Sequence, residues 1–532
     1  MSSSSKSKPI EMVRTLPAIA MDIQWPEVHA LVIGLGESGL ACARWLLRKG
    51  AHVTVIDTRD TAPMAQTLAQ RVAEIAGASE RLQVHCGVAD PLELSWIQGM
   101  DFVVPSPGLS PHAKHRGPAA ALLEAATAQG CKVIAELDLF EWAIHHAAHA
   151  SSRVDQGLDL ELPLELPKVL AITGTNGKTT TTQMTVALLR RAGIEAQEAG
   201  NISPSLLDAV MQCEDQSRFP KVWVLELSSF QLALAAHFHP TAAALLNITE
   251  DHLDWHVDMQ EYIDAKMRVF GIGGDPQTSG VVRILPRHGL PRADGPRNDE
   301  NSRPITFGTD APTALGDFGL IEEGITWMCM RDSMDEERLH RLMPADALRM
   351  RGRHNALNAL AALALCRTVT PALAPLLHGL REFQGGAHRM QWVGNVQGVD
   401  FVDDSKGTNV GATVAALFGL GLPLVLIAGG EGKGQNFSPL QTALRSHARA
   451  VITIGRDGPA IAEVARQAGI ATQAADSMEQ AVRLAFELAK PNSVVMLSPA
   501  CASFDMFDNY VARGRAFGAA VDSLAQEMGL PC

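Results

Sequence analysis

The stretch KVLAITGTNGKTTTT, residues 168–182, runs an apolar segment straight into a glycine-rich turn, a lysine and a row of threonines. Such a turn cradles phosphate only when a strand feeds it and a helix leaves it, because backbone N–H groups at the helix start must converge on one point. That requirement constrains the surroundings to an α/β fold with parallel strands. The core Gly177-Lys178-Thr179 is that of a phosphate loop, but Ile172 stands where the full GxxxxGK[ST] spacing has its first glycine, so the loop is a shortened variant. Gly174, Thr175, Asn176, Gly177, Lys178, Thr179 and Thr180 are the expected ATP contacts, with Lys178 as a point charge and a threonine hydroxyl for Mg2+.

A second glycine turn lies far upstream. Gly34-Leu-Gly36-Glu-Ser-Gly39 matches GxGxxG between the strand-like HALVIG and a helical segment, and Asp57 closes the next strand, HVTVID. By itself this pattern admits NAD, FAD or another nucleotide, or glycines that only allow close helix–strand packing. Two different nucleotides in two domains is the simpler reading of two such turns.

At 532 residues the chain exceeds one hydrophobic core, and the alternation of strands and helices resumes near 168 and near 386. We expect an α/β protein of three domains. These are a Rossmann-like domain over 26–135, a central P-loop ATPase-type parallel sheet over 136–385 and a C-terminal Rossmann-like α/β domain over 386–532, with a flexible extension over 1–25. Residues 147–167 read as an inserted linker, and a mobile loop flanking short strands is expected between about 271 and 304.

A net charge of −13 excludes a nucleic-acid-binding surface as the main role. The eight cysteines form no CxxC pair, which excludes a disulfide framework and a thiolate zinc site. Neither a signal-peptide pattern nor an apolar run long enough to span a bilayer is present, so a cytoplasmic location without membrane insertion is expected.

Two acidic clusters stand near strand ends of the second domain. Glu226 in LELSSFQL is placed as a magnesium ligand, and NITEDHLDWH (247–256) carries Asp251, His252, Asp254 and His256 without the fixed spacing of a zinc motif.

The strings GTNGKTT, ELSSFQL, NITEDHLDWH, GRHNALNALAALAL and DDSKGTN, in this order, resemble the Mur ligases of peptidoglycan synthesis, from about residue 28 to 530. The third-domain strings FVDDSKGTNVGAT, GGEGKGQNFSPL and LSPACASFDMFDNYVARG resemble the branch that adds D-glutamate to UDP-N-acetylmuramoyl-L-alanine. The resemblance implies that the first turn holds the uridine diphosphate of the sugar substrate, with Gly36, Glu37, Ser38, Asp57 and Arg59 lining that pocket and Asn201 and Gln231 contacting the same substrate. It implies that Thr179, Glu226 and His252 support Mg2+, joined by Lys266 once this lysine has captured CO2 as a carbamate. Asn355, Arg389 and Asp404 would complete the ATP site. Lys406, Thr408, Lys433, Ser503, Phe504 and Tyr510 would hold D-glutamate, Tyr510 standing where the family has phenylalanine.

The reaction so implied is an ATP-dependent ligation by a monomer. The γ-phosphoryl group activates the alanine carboxylate, and the amine of D-glutamate attacks the acyl phosphate. Lys178, His252, Lys266 and Arg389 are the residues expected to carry it, His252 supporting the metal site or accepting a proton. The alternatives are a relative that adds another amino acid, such as a folylpolyglutamate synthetase, an NAD-dependent oxidoreductase built on Gly34–Gly39, and a non-enzymatic ATP-binding regulator.

Overall fold

The chain's structure, a computed structural model, describes residues 23–89, 92–112, 119–154 (backbone only from 148), 166–273, 280–290, 303–332, 339–350, 352–420, 422–432 and 434–529. Three sheets follow one another along it. The first comprises β1 (His29–Ile33), β2 (His52–Asp57), β3 (Leu82–Cys86), β4 (Phe102–Pro105) and β5 (Lys132–Val133), flanked by α1 (Glu37–Lys49), α2 (Ala65–Val72) and α3 (Ala120–Ala128). All its pairings are parallel, in the order β3-β2-β1-β4-β5. HALVI is buried at all but its first residue, as a strand covered on both faces must be.

Helix α4 (Glu136–Val154) leads to the second sheet, β6 (Lys168–Thr173), β7 (Ala196–Gly200), β8 (Val222–Glu226), β9 (Ala242–Leu245), β10 (Val282–Pro286), β11 (Ile305–Phe307), β12 (Phe318–Glu323), β13 (Ile325–Arg331) and β14 (Leu339–Pro344). Its order is β14-β13-β12-β11-β10-β9-β6-β8-β7, parallel from β7 to β12 and antiparallel through β14. Its helices are α5 (Lys178–Arg191), α6 (Leu206–Gln216), α7 (Ser229–Leu234), α8 (Met259–Met267), α9 (Arg353–Arg367) and α10 (Leu373–Glu382). The alanine- and leucine-rich α9 is buried almost all round, which is why its sequence shows no polar face.

The third sheet contains β15 (Gln391–Val396), β16 (Val399–Asp403), β17 (Leu424–Gly429), β18 (Ala448–Ile454), β19 (Ala471–Ala474) and β20 (Val494–Leu497) in the order β15-β16-β20-β17-β18-β19. Only the edge strand β15 is antiparallel. Helices α11 (Val410–Leu420), α12 (Leu440–His447), α13 (Gly458–Gln467), α14 (Met478–Leu488) and α15 (Tyr510–Glu527) cover it.

The first two units share a continuous apolar core that includes Trp45, Phe140, Trp142 and Trp223. Ion pairs Arg44–Asp208 (2.7 Å) and Lys49–Glu214 (2.9 Å) join α1 to α6 around it. The expected linker over 147–167 is corrected in its first part, since α4 continues to Val154; residues 155–165 lie outside the described residues. Most of the expected extension also lies outside them, but Trp25 packs edge-on against Trp45 with ring centroids 5.3 Å apart, so its last residues belong to the core. Of the expected 271–304 loop, Val282–Pro286 forms β10, because its neighbour β9 offers it a parallel edge. Residues 274–279 and 291–302 are outside the described set.

The first glycine turn owes its shape to one close approach. A Cβ on Gly39 would stand 2.0 Å from the Gly34 carbonyl oxygen, whereas one on Gly36 would meet nothing within 4 Å. Gly39→Ala is therefore expected to destabilise the protein by more than about 3 kcal/mol, and Gly36→Ala by less than about 1 kcal/mol, in urea unfolding followed by tryptophan fluorescence.

Candidate active site

The phosphate loop joins β6 to α5 at the point where the strand order of the second sheet reverses, with β8 on one side of β6 and β9 on the other. Its backbone is braced from the segment after β9. The N–H of Asn176 donates to Asn247 Oδ1, and Asn247 Nδ2 returns a bond to the Asn176 carbonyl, both at 2.9 Å. The Thr175 hydroxyl bonds the Thr249 carbonyl (3.1 Å) and the Tyr262 hydroxyl (2.9 Å). Gly177 has φ +84°, and a Cβ there would fall 2.5 Å from Asn358 Oδ1, so this position admits only glycine.

Hard oxygen donors gather beside the loop. Thr179 Oγ1 donates to Glu226 Oε2 at 2.6 Å, and Asn201 Nδ2 to Glu226 Oε1 at 3.0 Å. Asp251, His252 and Asp254 face the same cavity. Hydroxyl and carboxylate oxygens in this number suit Mg2+, so the donor set fits the ion. His256, by contrast, is fully buried and meets the Ser229 hydroxyl at 3.0 Å.

Four cationic side chains converge on this place. Lys178 Nζ donates to the carbonyls of Gly174 (2.8 Å) and Thr175 (2.9 Å), and Lys266 Nζ donates to the same Gly174 carbonyl at 2.9 Å. Burial, then the neighbouring Lys178 charge, hold the Lys266 amine well below the usual lysine range. Lys178 is lowered by burial and by Arg389, against Glu226 and Asp251. Arg389 itself is lowered by burial, and Lys406 is brought down to about 8 by burial and by Arg389. Burial lowers His252 as well, favouring its neutral form.

The third sheet lies over the loop. Asn409 Nδ2 bridges Asn176 Oδ1 (3.2 Å) and Asp251 Oδ2 (3.3 Å), tying the start of α11 to both central segments. Lys406 Nζ sits 4.2 Å from the Tyr510 ring centroid. Asp404, pushed up to about 7 by burial, accepts the Ser498 hydroxyl at 2.7 Å. Beneath this wall the buried Arg513 binds Ser405 Oγ, the Ser405 carbonyl and the Cys501 carbonyl at 2.8–3.0 Å. Cys501 is fully buried, its thiol pushed up to about 12 by that burial, and the seven described cysteines are all free.

Two lobes of one cleft result. A lobe of about 380 Å³ is lined by Asn176, Gly177, Thr180, Asn355, Arg389 and Asp404 together with Phe307, Met350 and Leu357. The adjoining lobe, about 430 Å³, contains Thr175, Lys178, Thr179, Asn201, Glu226, His252, Lys266, Arg389, Lys406, Thr408, Ser503, Phe504 and Tyr510. Residues far apart in the chain thus line one cleft. Lys433 lies outside the described residues, although Gly434 and Gln435 line the second lobe.

A separate cavity of about 300 Å³ sits at the carboxyl ends of β1, β2 and β4 and includes Gly36, Asp57 and Arg59. Asp57 accepts the N–H of Leu35 (2.7 Å) and the Nε of Arg59 (2.8 Å); these bonds outweigh its burial and bring it down to about 2. A carboxylate committed in this way has little capacity left for the ribose hydroxyls of NAD. Glu37 is exposed on the first turn of α1, and Ser38 bonds Glu136. Gln231 is buried, its amide oxygen accepting the N–H (3.0 Å) of Ser228 in the cap of α7.

Asn247, Tyr262, Asn358 and Asn409 were not singled out from the sequence. Asn247 and Asn409 lie within NITED and DDSKGTN, where the polar run signalled a site but not which amide braces the loop. Tyr262 and Asn358 act from helices, and only the fold brings them to it.

Family models match three successive parts of the chain: a Mur ligase MurD-like N-terminal domain over 28–135, a Mur ligase middle domain over 172–366 and a Mur ligase glutamate ligase domain over 388–501. Curated relatives include the UDP-N-acetylmuramoylalanine–D-glutamate ligases of Cupriavidus pinatubonensis, 45% identical over 94% of this chain and 98% of the relative, and of Burkholderia pseudomallei, 46% identical over 96% and 99%. Among solved structures, the UDP-N-acetylmuramate-alanine ligase MurC of Thermotoga maritima shares the fold at 18% identity, with a TM-score of 0.50 over 93% of this chain and 99% of that one. The sheets, the braced phosphate loop and these matches along the chain lead to one conclusion: the protein belongs to the Mur ligase family.

Proposed function

We propose that this chain joins D-glutamate to UDP-N-acetylmuramoyl-L-alanine, consuming ATP and releasing ADP and phosphate. The observation that carries the mechanism is a single 430 Å³ lobe in which Lys178, Thr179 and Glu226 face Arg389, Lys406, Thr408, Ser503 and Tyr510. The choice of D-glutamate rests on the curated relatives.

Adenine fits the lobe with the apolar lining of Phe307, Met350 and Leu357, its phosphates reaching Gly174–Thr180 along the shared wall of Asn176, Gly177 and Arg389. The sugar nucleotide's diphosphate fits the Gly36, Asp57 and Arg59 cavity, with its alanine carboxylate directed to Asn201. Thr179, Glu226 and His252 would hold Mg2+, which neutralises phosphate charge when bound. Lys178 and Arg389 stabilise charge on the transferring phosphoryl group, and Lys406, Thr408 and Ser503 hold the D-glutamate carboxylates so that the amine meets the acyl phosphate. The contact of Asn409 with Asn176 and Asp251 holds the third unit against the phosphate loop, an arrangement that would limit access of water to that intermediate. Lys266, with an amine biased toward its neutral form, is suited to carbamate formation.

The same reading takes the functional divisions as 26–135, 136–385 and 386–532, and the enzyme as a cytoplasmic monomer. Among the described residues no helix is long and apolar enough to cross a membrane. The test is phosphate release from ATP with UDP-N-acetylmuramoyl-L-alanine and a panel of D-glutamate, L-glutamate, L-lysine and meso-diaminopimelate. Release and product with D-glutamate alone supports the reading; release with another member moves the specificity, and release with none sinks it.

A pH effect follows from Lys406. Its ammonium is present below about pH 8 and lost above it. kcat/KM for D-glutamate should fall about tenfold per pH unit above that point, while Lys406→Arg, charged throughout, should flatten this limb. Steady-state rates from pH 7 to 10 provide the check.

A further inference from the structure

Away from the cleft, Asp138 and Glu141 stand one turn apart on α4 and face the segment 235–239 between α7 and β9. Asp138 accepts the N–H groups of Ala236 (2.9 Å) and His237 (2.6 Å), which fixes the path of the segment. Glu141 accepts the backbone N–H of His239 through one oxygen and meets His237 Nδ1 at 2.6 Å through the other. The His237 and His239 rings lie with centroids 4.1 Å apart. One ligand atom from each of Glu141, His237 and His239 lies within 4.8 Å of the other two. His237 pairs with the buried Glu141 carboxylate, whereas His239 takes part in these bonds through its backbone N–H, so they hold the segment without its imidazole.

We propose that Glu141, His237 and His239 form a site for a transition-metal cation of the Zn2+ class, distinct from the Mg2+ site of the cleft. Two imidazoles and a carboxylate favour Zn2+, Co2+ or Ni2+ over Mg2+, which takes oxygen ligands. Ligand atoms of a tetrahedral zinc stand about 3.3 Å apart, so the Glu141–His237 pair opens slightly on binding. Asp138 supports the site from behind by holding the His237 backbone. His239 is half-buried and gives the ion a path from solvent. Since α4 follows the last strand of the first sheet and segment 235–239 enters the second, the ion would clamp the first two units together.

The test uses the full chain, stripped by chelator and titrated with Co2+ in excess Mg2+. One equivalent should bind with the visible absorption of a four-coordinate site and be displaced by Zn2+. His239→Gln and Glu141→Gln should each weaken binding at least about tenfold, whereas His252→Ala should leave it in place. His239→Gln should keep its ligase activity and lose the rise in melting temperature that Zn2+ gives the parent. Absence of the absorption in the parent, its persistence in both His239→Gln and Glu141→Gln, or its loss in His252→Ala would overturn the proposal. Because the readout is metal binding, its failure leaves the ligase reading standing.

Discussion

Lys178→Met is expected to lower kcat/KM for ligation by about a thousandfold or more while leaving the melting temperature within a few degrees of the parent. The ammonium is held between the Gly174 and Thr175 carbonyls, where it faces the lobe shared with Glu226 and Arg389. Removing it takes away a charge that would balance the transferring phosphoryl group. The competing interpretation is that Lys178 only closes the turn on itself. The two lost hydrogen bonds cost on the order of 1 kcal/mol each on either interpretation, but if Lys178 only closes the turn, activity per folded molecule would survive. Lys178→Arg should not restore the rate, since a planar, delocalised guanidinium does not reproduce a compact point charge shared by those two carbonyls. Parallel melting curves and initial rates separate the interpretations.

Lys266→Ala should reduce the rate by a hundredfold or more. This lysine is 1% exposed, shares the Gly174 carbonyl with Lys178 and is pushed by burial and that neighbour toward its neutral form. Two ammonium groups on one carbonyl are unfavourable, whereas an anion at Lys266 would turn the repulsion into attraction and add an oxygen donor near Glu226. Protein equilibrated with ¹³C-labelled bicarbonate should show one carbamate resonance that is absent from Lys266→Ala. Parent enzyme in CO2-stripped buffer should lose activity and regain it on adding bicarbonate. As pH falls, the amine is protonated and the carbamate lost, so the dependence on bicarbonate should steepen on the acid side. A missing resonance together with full activity without CO2 would leave Lys266 as a buried structural amine.

What the sequence made legible follows from how local each signal is. VLAIT before Gly174-Lys178 needs only neighbouring residues to declare a strand, a turn and a helix, and the structure has all three in place as β6, the loop and α5. The apolar strands of the third sheet were equally plain, because strands buried on both faces are nearly continuous runs. The antiparallel strands β12 to β14 were not, since each is buried over only part of its length, with no regular alternation, and their pairing depends on neighbouring strands. The helix over 147–154 was hidden by small residues that read as linker. Within the site, residue types and motif order exposed Glu226, Arg389 and Lys406. The braces Asn247, Tyr262 and Asn409 act across 71 to 233 residues of sequence and acquire meaning only once the sheets are packed. The Glu141, His237 and His239 cluster was equally invisible, its members being separated by nearly a hundred residues.

The central claim is that one cleft transfers a phosphoryl group to a carboxylate before an amine displaces it. The most direct measurement uses UDP-N-acetylmuramoyl-L-alanine labelled with ¹⁸O in its alanine carboxylate, turned over with ATP, Mg2+ and D-glutamate, with the released phosphate read by mass spectrometry. The account predicts one ¹⁸O in the phosphate for each amide formed; unlabelled phosphate accompanying amide formation would contradict it.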